Sequence, residues 1–179
     1  MKRKAIFLDR DGVINVRLPD GGYVTRWEEF TFCEGAPEAM RLLQGSGYLL
    51  VVVTNQRGIG RGLMTEDDLA DIHRHMTAEL ERTGVTLDAV LHCPHDHDAK
   101  CRCRKPLPGM IEEGVNRFAV DRDTSLIIGD SLSDIEAGRA AGIDGILVAP
   151  PGEPVSDGLR RALSLLDAAL AVTGGTEGA

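Results

Sequence analysis

The sequence predicts an α/β fold in which a doubly wound parallel sheet carries helices on both faces. Three observations point there. Short apolar runs recur along the whole chain, each run is continuously apolar rather than alternating, and segments with helical spacing separate them. Continuous apolarity is what burial on both faces of a strand requires. Strand–helix alternation implies parallel strands joined by crossovers. At 179 residues the chain suits one domain, long enough to bury a sizeable core without disulfides.

AIFL (5–8) is the first run, and YLLVVV (48–53), LDAVLH (87–92), SLII (125–128) and GILVA (145–149) follow. Between the second and third, Leu69, Ile72, Met76 and Leu80 recur at helical spacing, with Thr65 and Asp68 placed as a capping box. Leu159, Leu163, Leu166 and Leu170 predict a final helix in the same way. Residues 16–34 and 93–108 carry no regular pattern. No linker divides the chain, and no connection is long enough for a large cap. One domain over residues 1–173 is expected, with a flexible tail at 174–179.

A formal charge of -8 disfavours nucleic acid, which rewards basic surfaces, and 4% aromatic residues leave little for a base-stacking platform. No apolar run approaches the roughly 18 residues of a membrane span. The run after the basic start stops at Asp9, too soon for a signal peptide. A cytoplasmic location is expected, where cysteines stay reduced and clusters of them point to metal or catalysis. The oligomeric state is left open, with a monomer favoured.

Ligands of a doubly wound sheet bind beyond the carboxyl ends of its strands, and polar residues collect there. The first run leads into FLDRDGVIN, where Asp9 and Asp11 share a side if the chain is extended. Two carboxylates that close repel unless a cation or a shared proton stabilises them; solvated turn acids before Gly12 are the plain alternative. The second run ends VVVTNQRGIGRG. Thr54 there would offer a hydroxyl and backbone N–H groups to phosphate oxygens, and Gly58, Gly60 and Gly62 allow close backbone approach. The same string also suits an ordinary turn. Past the third run come Arg104, Lys105 and Pro106. The fourth ends IIGDSLSDIEAG, with Asp130 and Asp134 around a helix start that favours acids in any case. Each feature has a bland explanation alone. An acid pair, a hydroxyl, a lysine and an acid after four successive strands form a constellation.

Cys93, His95, Cys101 and Cys103 place three thiolates and an imidazole within eleven positions, a set that suits tetrahedral zinc with no open position. His92 and His97 are rival ligands, and Cys33 is expected as a buried small residue outside the cluster.

The order DRDGV, VTN, RKP, GDSLSD resembles the four motifs of the haloacid dehalogenase superfamily over about residues 4–150. Within it, FLDRDGVIN, GGYV, VVVTNQRGIGRG, CPH, CRCRKPLPGM and IIGDSLSDIEAG look like the D-glycero-D-manno-heptose 1,7-bisphosphate 7-phosphatases, with histidinol-phosphate phosphatases as close cousins. The resemblance implies a Rossmann-like domain, magnesium-dependent hydrolysis of a phosphate monoester through an aspartyl phosphate, and a small phosphorylated sugar as substrate. It implies Asp9 as nucleophile, Asp11 as acid and base, and Thr54 and Lys105 as stabilisers of the phosphoryl oxygens. Asn55, Gln56, Arg57, Arg61 and Arg104 are the expected substrate-binding residues. Magnesium would be held by the carboxylates of Asp9 and Asp130 and the backbone carbonyl of Asp11, with Asp134 orienting Lys105 or the metal's waters.

The resemblance also favours His95 as the fourth zinc ligand, so the loop would be a zinc-braced scaffold for Arg104 and Lys105. One position departs from the family, which often has a lysine where Ser131 stands. Substrate signals compete. Five residues between His95 and Cys101 resemble the histidinol-phosphate group, whereas GGYV (21–24), GIGRG (58–62) and LPGM (107–110) resemble the heptose group. Two non-enzyme readings stand beside these. A response-regulator receiver would put its phosphorylated aspartate after a later strand, and a zinc-braced binding module would need an inactive site.

Overall fold

A computed structural model of the protein describes residues 2–150, 152 and 158–174. Among them, β1 (Ala5–Leu8), β2 (Leu49–Asn55), β3 (Ala89–Cys93), β4 (Leu126–Gly129), β5 (Asp144–Val148) and β6 (Arg160–Ala162) form one sheet. Its order is β3-β2-β1-β4-β5-β6, and every pairing is parallel. The chain builds outward from β1 to β3, then crosses back to β4 on the other side of β1. That reversal opens a crevice at the carboxyl ends of β1 and β4, where such sheets hold ligands.

The helices are α1 (Ala36–Gly45), α2 (Arg57–Gly60), α3 (Glu66–Arg82), α4 (Gly109–Phe118), α5 (Leu132–Ala140) and α6 (Leu165–Thr173). Alternation along the strands divides the core. Ile6, Leu8, Leu50 and Val52 pack with α1, α3 and α6, while Phe7, Val51, Val53 and Ile127 pack with α4 and α5. On α3 the apolar stripe is buried as its spacing predicts, contributing about 1.5–3 kcal/mol per large side chain. Its capping box is closed: Asp68 N–H donates to Thr65 Oγ1 at 3.1 Å, and Thr65 N–H donates to Asp68 Oδ2 at 2.8 Å.

One expectation fails at the end of the chain. Instead of a helix through Leu159 and Leu163, residues 160–162 pair with Ile146–Val148 as an edge strand. Helix α6 then starts at Leu165, with Asp167 N–H donating to Ser164 Oγ at 3.1 Å. Leu163 and Leu170 are exposed, and Leu165, Ala168 and Ala169 are the buried residues. Small residues let α6 lie close against α1, and a search for leucines at helical spacing does not see them. Residues 175–179 of the expected tail lie outside the described residues.

The two irregular segments flank the crevice. Residues 16–34 contain two short 3-10 turns, with Trp27 stacked on both Phe30 and His75. Residues 94–108 run between β3 and α4. Among the described residues, no helix is long and apolar enough to cross a membrane.

Candidate active site

Four strand ends deliver the expected side chains to one place. Asp9 follows β1, Thr54 lies within β2, Lys105 stands in the loop after β3, and Asp130 follows β4. Lys105 is 3% exposed, with its Nζ 2.9 Å from Asp9 Oδ1 and 2.6 Å from Asp134 Oδ1, and it donates to the Val53 carbonyl at 2.7 Å. Burial works against the ammonium, yet Asp9 and Asp134 hold its pKa above the usual value. The lysine's backbone is fixed as well: Asn55 Nδ2 donates to its carbonyl and its N–H donates to Asn55 Oδ1, both at 3.1 Å.

Asp134 serves two partners. Its Oδ2 accepts from the Ser131 N–H and hydroxyl at the start of α5, which leaves Oδ1 for Lys105. Gly12 makes room nearby. Its φ is +90°, and a Cβ there would fall 1.8 Å from Asp130 Oδ2, so only glycine fits.

Asp9 and Asp11 sit in opposite environments. Burial pushes the Asp9 carboxyl up to about 7; Lys105 opposes this, and the nearby Asp134 and Asp130 add to it. Asp130 is pushed up to about 6, again by burial first, with Arg17 opposing. Asp11 is also buried, but Arg10, Asn15 and Gln56 hold it below the usual carboxylate range. The Arg10 guanidinium donates to both Asp11 oxygens at 2.9 and 3.0 Å, and the Asn15 and Gln56 amides donate at 3.0 and 2.9 Å. Gln56 also donates to Thr54 Oγ1 at 2.8 Å, joining the acid to the hydroxyl. Thr54 is buried behind that amide.

Arg10 is fully buried, and its Nη1 lies 3.2 Å from His73 Nε2 on α3. A guanidinium only donates, so Nε2 accepts and the proton sits on Nδ1. Burial, then the Arg10 charge, lowers the His73 pKa to about 3. An unfolded histidine titrates near 6.5, so the unfolded chain takes up a proton that the folded one refuses, and this contribution to stability is lost as pH falls below about 6.5. His73→Gln keeps an acceptor without the titration. Its stability relative to wild type should rise by about 2 kcal/mol between pH 7.5 and 5, at ~1.4 kcal/mol per pH unit. Denaturant melts at both pH values measure this, and a constant difference would contradict it.

A cleft of about 320 Å³ opens over these groups, lined by Asp9, Asp11, Lys105 and Asp134 at its floor and by Arg17, Tyr23, Arg57, His97 and Arg104 toward its mouth. Asn55 and Gln56 line it too, whereas Arg61 does not. Arg61 stands over the Tyr23 ring, 5.9 Å from its centroid, because one turn of α2 carries it past the opening. Arg57 pairs with Asp96. Sequence reasoning did not single out Arg10, Arg17 or His73.

The cysteine cluster lies behind the lysine loop. Cys93, His95, Cys101 and Cys103 each offer a ligand atom, all within 4.8 Å of one another. Cys93 Sγ is 3.8 Å from Cys101 Sγ, the ~3.8 Å edge that metal–sulfur bonds of about 2.3 Å give a tetrahedron, and 3.4 Å from His95 Nδ1, whereas Cys103 Sγ sits closer, 2.7 Å from Cys93 Sγ and 3.2 Å from His95 Nδ1. His92 instead pairs with Glu66 at 2.8 Å, and His97 lines the cleft. Cys33 is half-buried and apart from the cluster. One glycine after β2 serves this loop: a Cβ on Gly60 would fall 2.8 Å from both the Pro94 carbonyl oxygen and the Asp96 nitrogen, and its N–H donates to Pro94 at 2.9 Å. Asp9, Asp130 and Asp134 form a second group with carboxylate oxygens within 4.8 Å of one another.

Residues 102–162 match a family model described as HAD-hydrolase-like. The chain is 40% identical over 172 residues to the D-glycero-beta-D-manno-heptose-1,7-bisphosphate 7-phosphatase of Pasteurella multocida, covering 92% of each chain. It is 42% identical over 148 residues to the D-glycero-alpha-D-manno-heptose-1,7-bisphosphate 7-phosphatase of Campylobacter jejuni, covering 83% of each. Its structure is similar to that of the D,D-heptose 1,7-bisphosphate phosphatase of B. bronchiseptica, complexed with magnesium and phosphate. There the TM-score is 0.87 and the identity 34%, over 97% of this chain and 99% of that one. With relatives this similar over nearly its whole length, the chain belongs to the heptose 1,7-bisphosphate 7-phosphatase family of HAD-type hydrolases.

Proposed function

We propose that this protein removes the 7-phosphate of D-glycero-D-manno-heptose 1,7-bisphosphate through an aspartyl phosphate. One observation carries the reading: a single cleft has the quartet of Asp9, Asp11, Lys105 and Asp134 at its floor and a ring of arginines at its mouth. The floor suits one phosphate and the mouth a second.

Asp9 is the nucleophile. Its Oδ1 is engaged by Lys105 and by the Arg10 N–H at 2.8 Å, which leaves Oδ2 to attack phosphorus. Lys105 and Thr54 stabilise the phosphoryl oxygens as charge spreads over them. Asp11 in the free protein is a carboxylate surrounded by donors. That suits the second half of the reaction, in which it takes a proton from the attacking water. A phosphate dianion entering beside it raises its pKa, so that Asp11 takes up a proton from solvent and gives it to the leaving sugar oxygen in the first half. Asn55, Gln56, Arg57 and Arg104 orient the substrate.

The floor fits magnesium. Its ligand atoms are oxygens, and burial, with the neighbouring carboxylates adding to it, has pushed two of its carboxylates up, so a cation would be well placed there. Asp9, Asp130 and the Asp11 carbonyl would hold the ion, which neutralises charge between nucleophile and phosphate when bound. The Cys93, His95, Cys101 and Cys103 set fits zinc in a structural role, with four ligands and no open position.

Histidinol phosphate brings an ammonium and an imidazole, poor company for a mouth containing Arg17, Arg57 and Arg104. Phosphate release measured side by side should give a kcat/KM for the heptose bisphosphate at least about tenfold above that for histidinol phosphate, which needs only ~1.4 kcal/mol of differential transition-state binding. A preference for histidinol phosphate would mean that the short loop between His95 and Cys101 reports the substrate better than the arginines do.

A further inference from the structure

Arg17 occupies an unexpected place. It comes from the irregular segment after β1, where nothing in its sequence neighbourhood marks it. Its Nη2 lies 2.7 Å from Asp130 Oδ1 and 3.4 Å from the Asp11 carbonyl oxygen. Those are two of the three ligand groups assigned above to the divalent cation. A guanidinium there offsets the charge of an otherwise acid-rich floor. The rest of the arginine is loosely held, since its side chain is 54% exposed against 16% for Asp130. An ion pair so open to water contributes little, and a divalent cation competes with it well.

The same side chain lines the cleft, together with Gly21, Gly22, Tyr23, Arg57 and Arg104. A guanidinium released from Asp130 therefore turns into the space that the non-reacting end of a substrate would fill. Bidentate recognition of phosphate is what a guanidinium does best.

We propose that Arg17 competes with the divalent cation for Asp130 and the Asp11 carbonyl, and that once displaced it binds the distal anionic group of the substrate. This rests on the metal assignment under the proposed function, and it adds a coupling. Metal binding frees the arginine, and an anion that captures the freed arginine favours metal binding in return, because linkage is reciprocal. The protein without metal would keep its floor neutralised and its distal anion site incomplete. The two ligands would then favour assembly together.

Magnesium titrations of the substrate-free protein by calorimetry test the first half without any turnover. Removing the competitor in Arg17→Ala should tighten magnesium binding about fivefold, as expected when the competent state is only partly populated in wild type. Arg104→Gln removes a charge from the same cleft without touching Asp130 and should leave magnesium affinity as it is. Steady-state kinetics test the second half. Arg17→Ala should raise KM for the bisphosphate several-fold more than it lowers kcat, and should leave KM for a monophosphate sugar nearly unchanged. Unchanged or weaker magnesium binding in Arg17→Ala, or equal tightening in Arg104→Gln, would overturn the competition. An unchanged bisphosphate KM would overturn the delivery. The underlying metal assignment fails separately, if Asp130→Asn binds magnesium as well as wild type does.

Discussion

Asp9→Asn should lower kcat by at least ~10⁴-fold, the scale on which removal of a catalytic nucleophile acts, while leaving the folded state as stable or more so. An amide is a far poorer nucleophile than a carboxylate, and no other carboxylate replaces it. Asp130 and Asp134 lie close by, but Asp134 is tied to Lys105 and the α5 cap, and Asp130 comes from across the crevice. The stability half follows from the raised pKa. With its folded value near 7 and an unfolded value near 4, Asp9 favours folding only while it stays protonated. Its contribution is therefore lost as pH rises from about 4 to 7. Asparagine never ionises and escapes that loss, and Lys105 keeps Asp134 as a partner. Phosphate release together with thermal melts in a chelator measures both. A variant that keeps a tenth of the wild-type rate would place the nucleophile elsewhere.

The parts of this molecule legible in its sequence are those whose physics is local. Continuous apolar runs mark β1 to β5, most plainly β1, β2 and β4, whose two faces are largely buried. β6 reads Arg-Arg-Ala and lies at the sheet edge, where two of its three residues are exposed, so burial left no pattern to find. The floor of the site was visible because each of its groups sits at or beyond a strand end, and parallel strands put those ends together. The supporting contacts were not visible. Arg10 meets His73 across 63 positions, and nothing in either neighbourhood names the other. Sequence proximity also misled at Arg61, since nearness along the chain says nothing of direction on a helical turn. The glycines after β2 suggested approach to a phosphate. At Gly60 the approach is instead to the backbone at Pro94 and Asp96, a loop that the sequence places some 35 residues away. Even so, the glycine does serve the site, one step removed.

That loop makes the cysteine cluster, proposed above to hold zinc, the other place where one substitution should have a large effect. Cys101→Ser should destabilise the protein by at least about 3 kcal/mol, because the binding free energy of a structural zinc is also folding free energy. Its effect on chemistry should be smaller, and the structure says why. Lys105 is anchored by Asp9, Asp134 and the Val53 carbonyl, which none of the cysteines touches, as well as by the Asn55 amide. Among the described residues, the Arg104 guanidinium is held by the His95 carbonyl and His97, both within the same loop as the cysteines. Loosening the loop should therefore raise KM several-fold while kcat, read below the lowered melting temperature, changes little. Wild-type protein should carry about one zinc per chain by elemental analysis, and a strong chelator should bring its melting temperature down to that of Cys101→Ser. Since Cys93 lies at the end of β3 and pairs with Asn55 of β2, the loss should spread into the sheet edge and appear as faster amide exchange along β3. A chelator that leaves wild type unchanged, in protein shown to be free of zinc, would reduce the cluster to four unmetallated side chains and leave the loop to its hydrogen bonds and ion pairs, Arg57–Asp96 and the Gly60 contact among them.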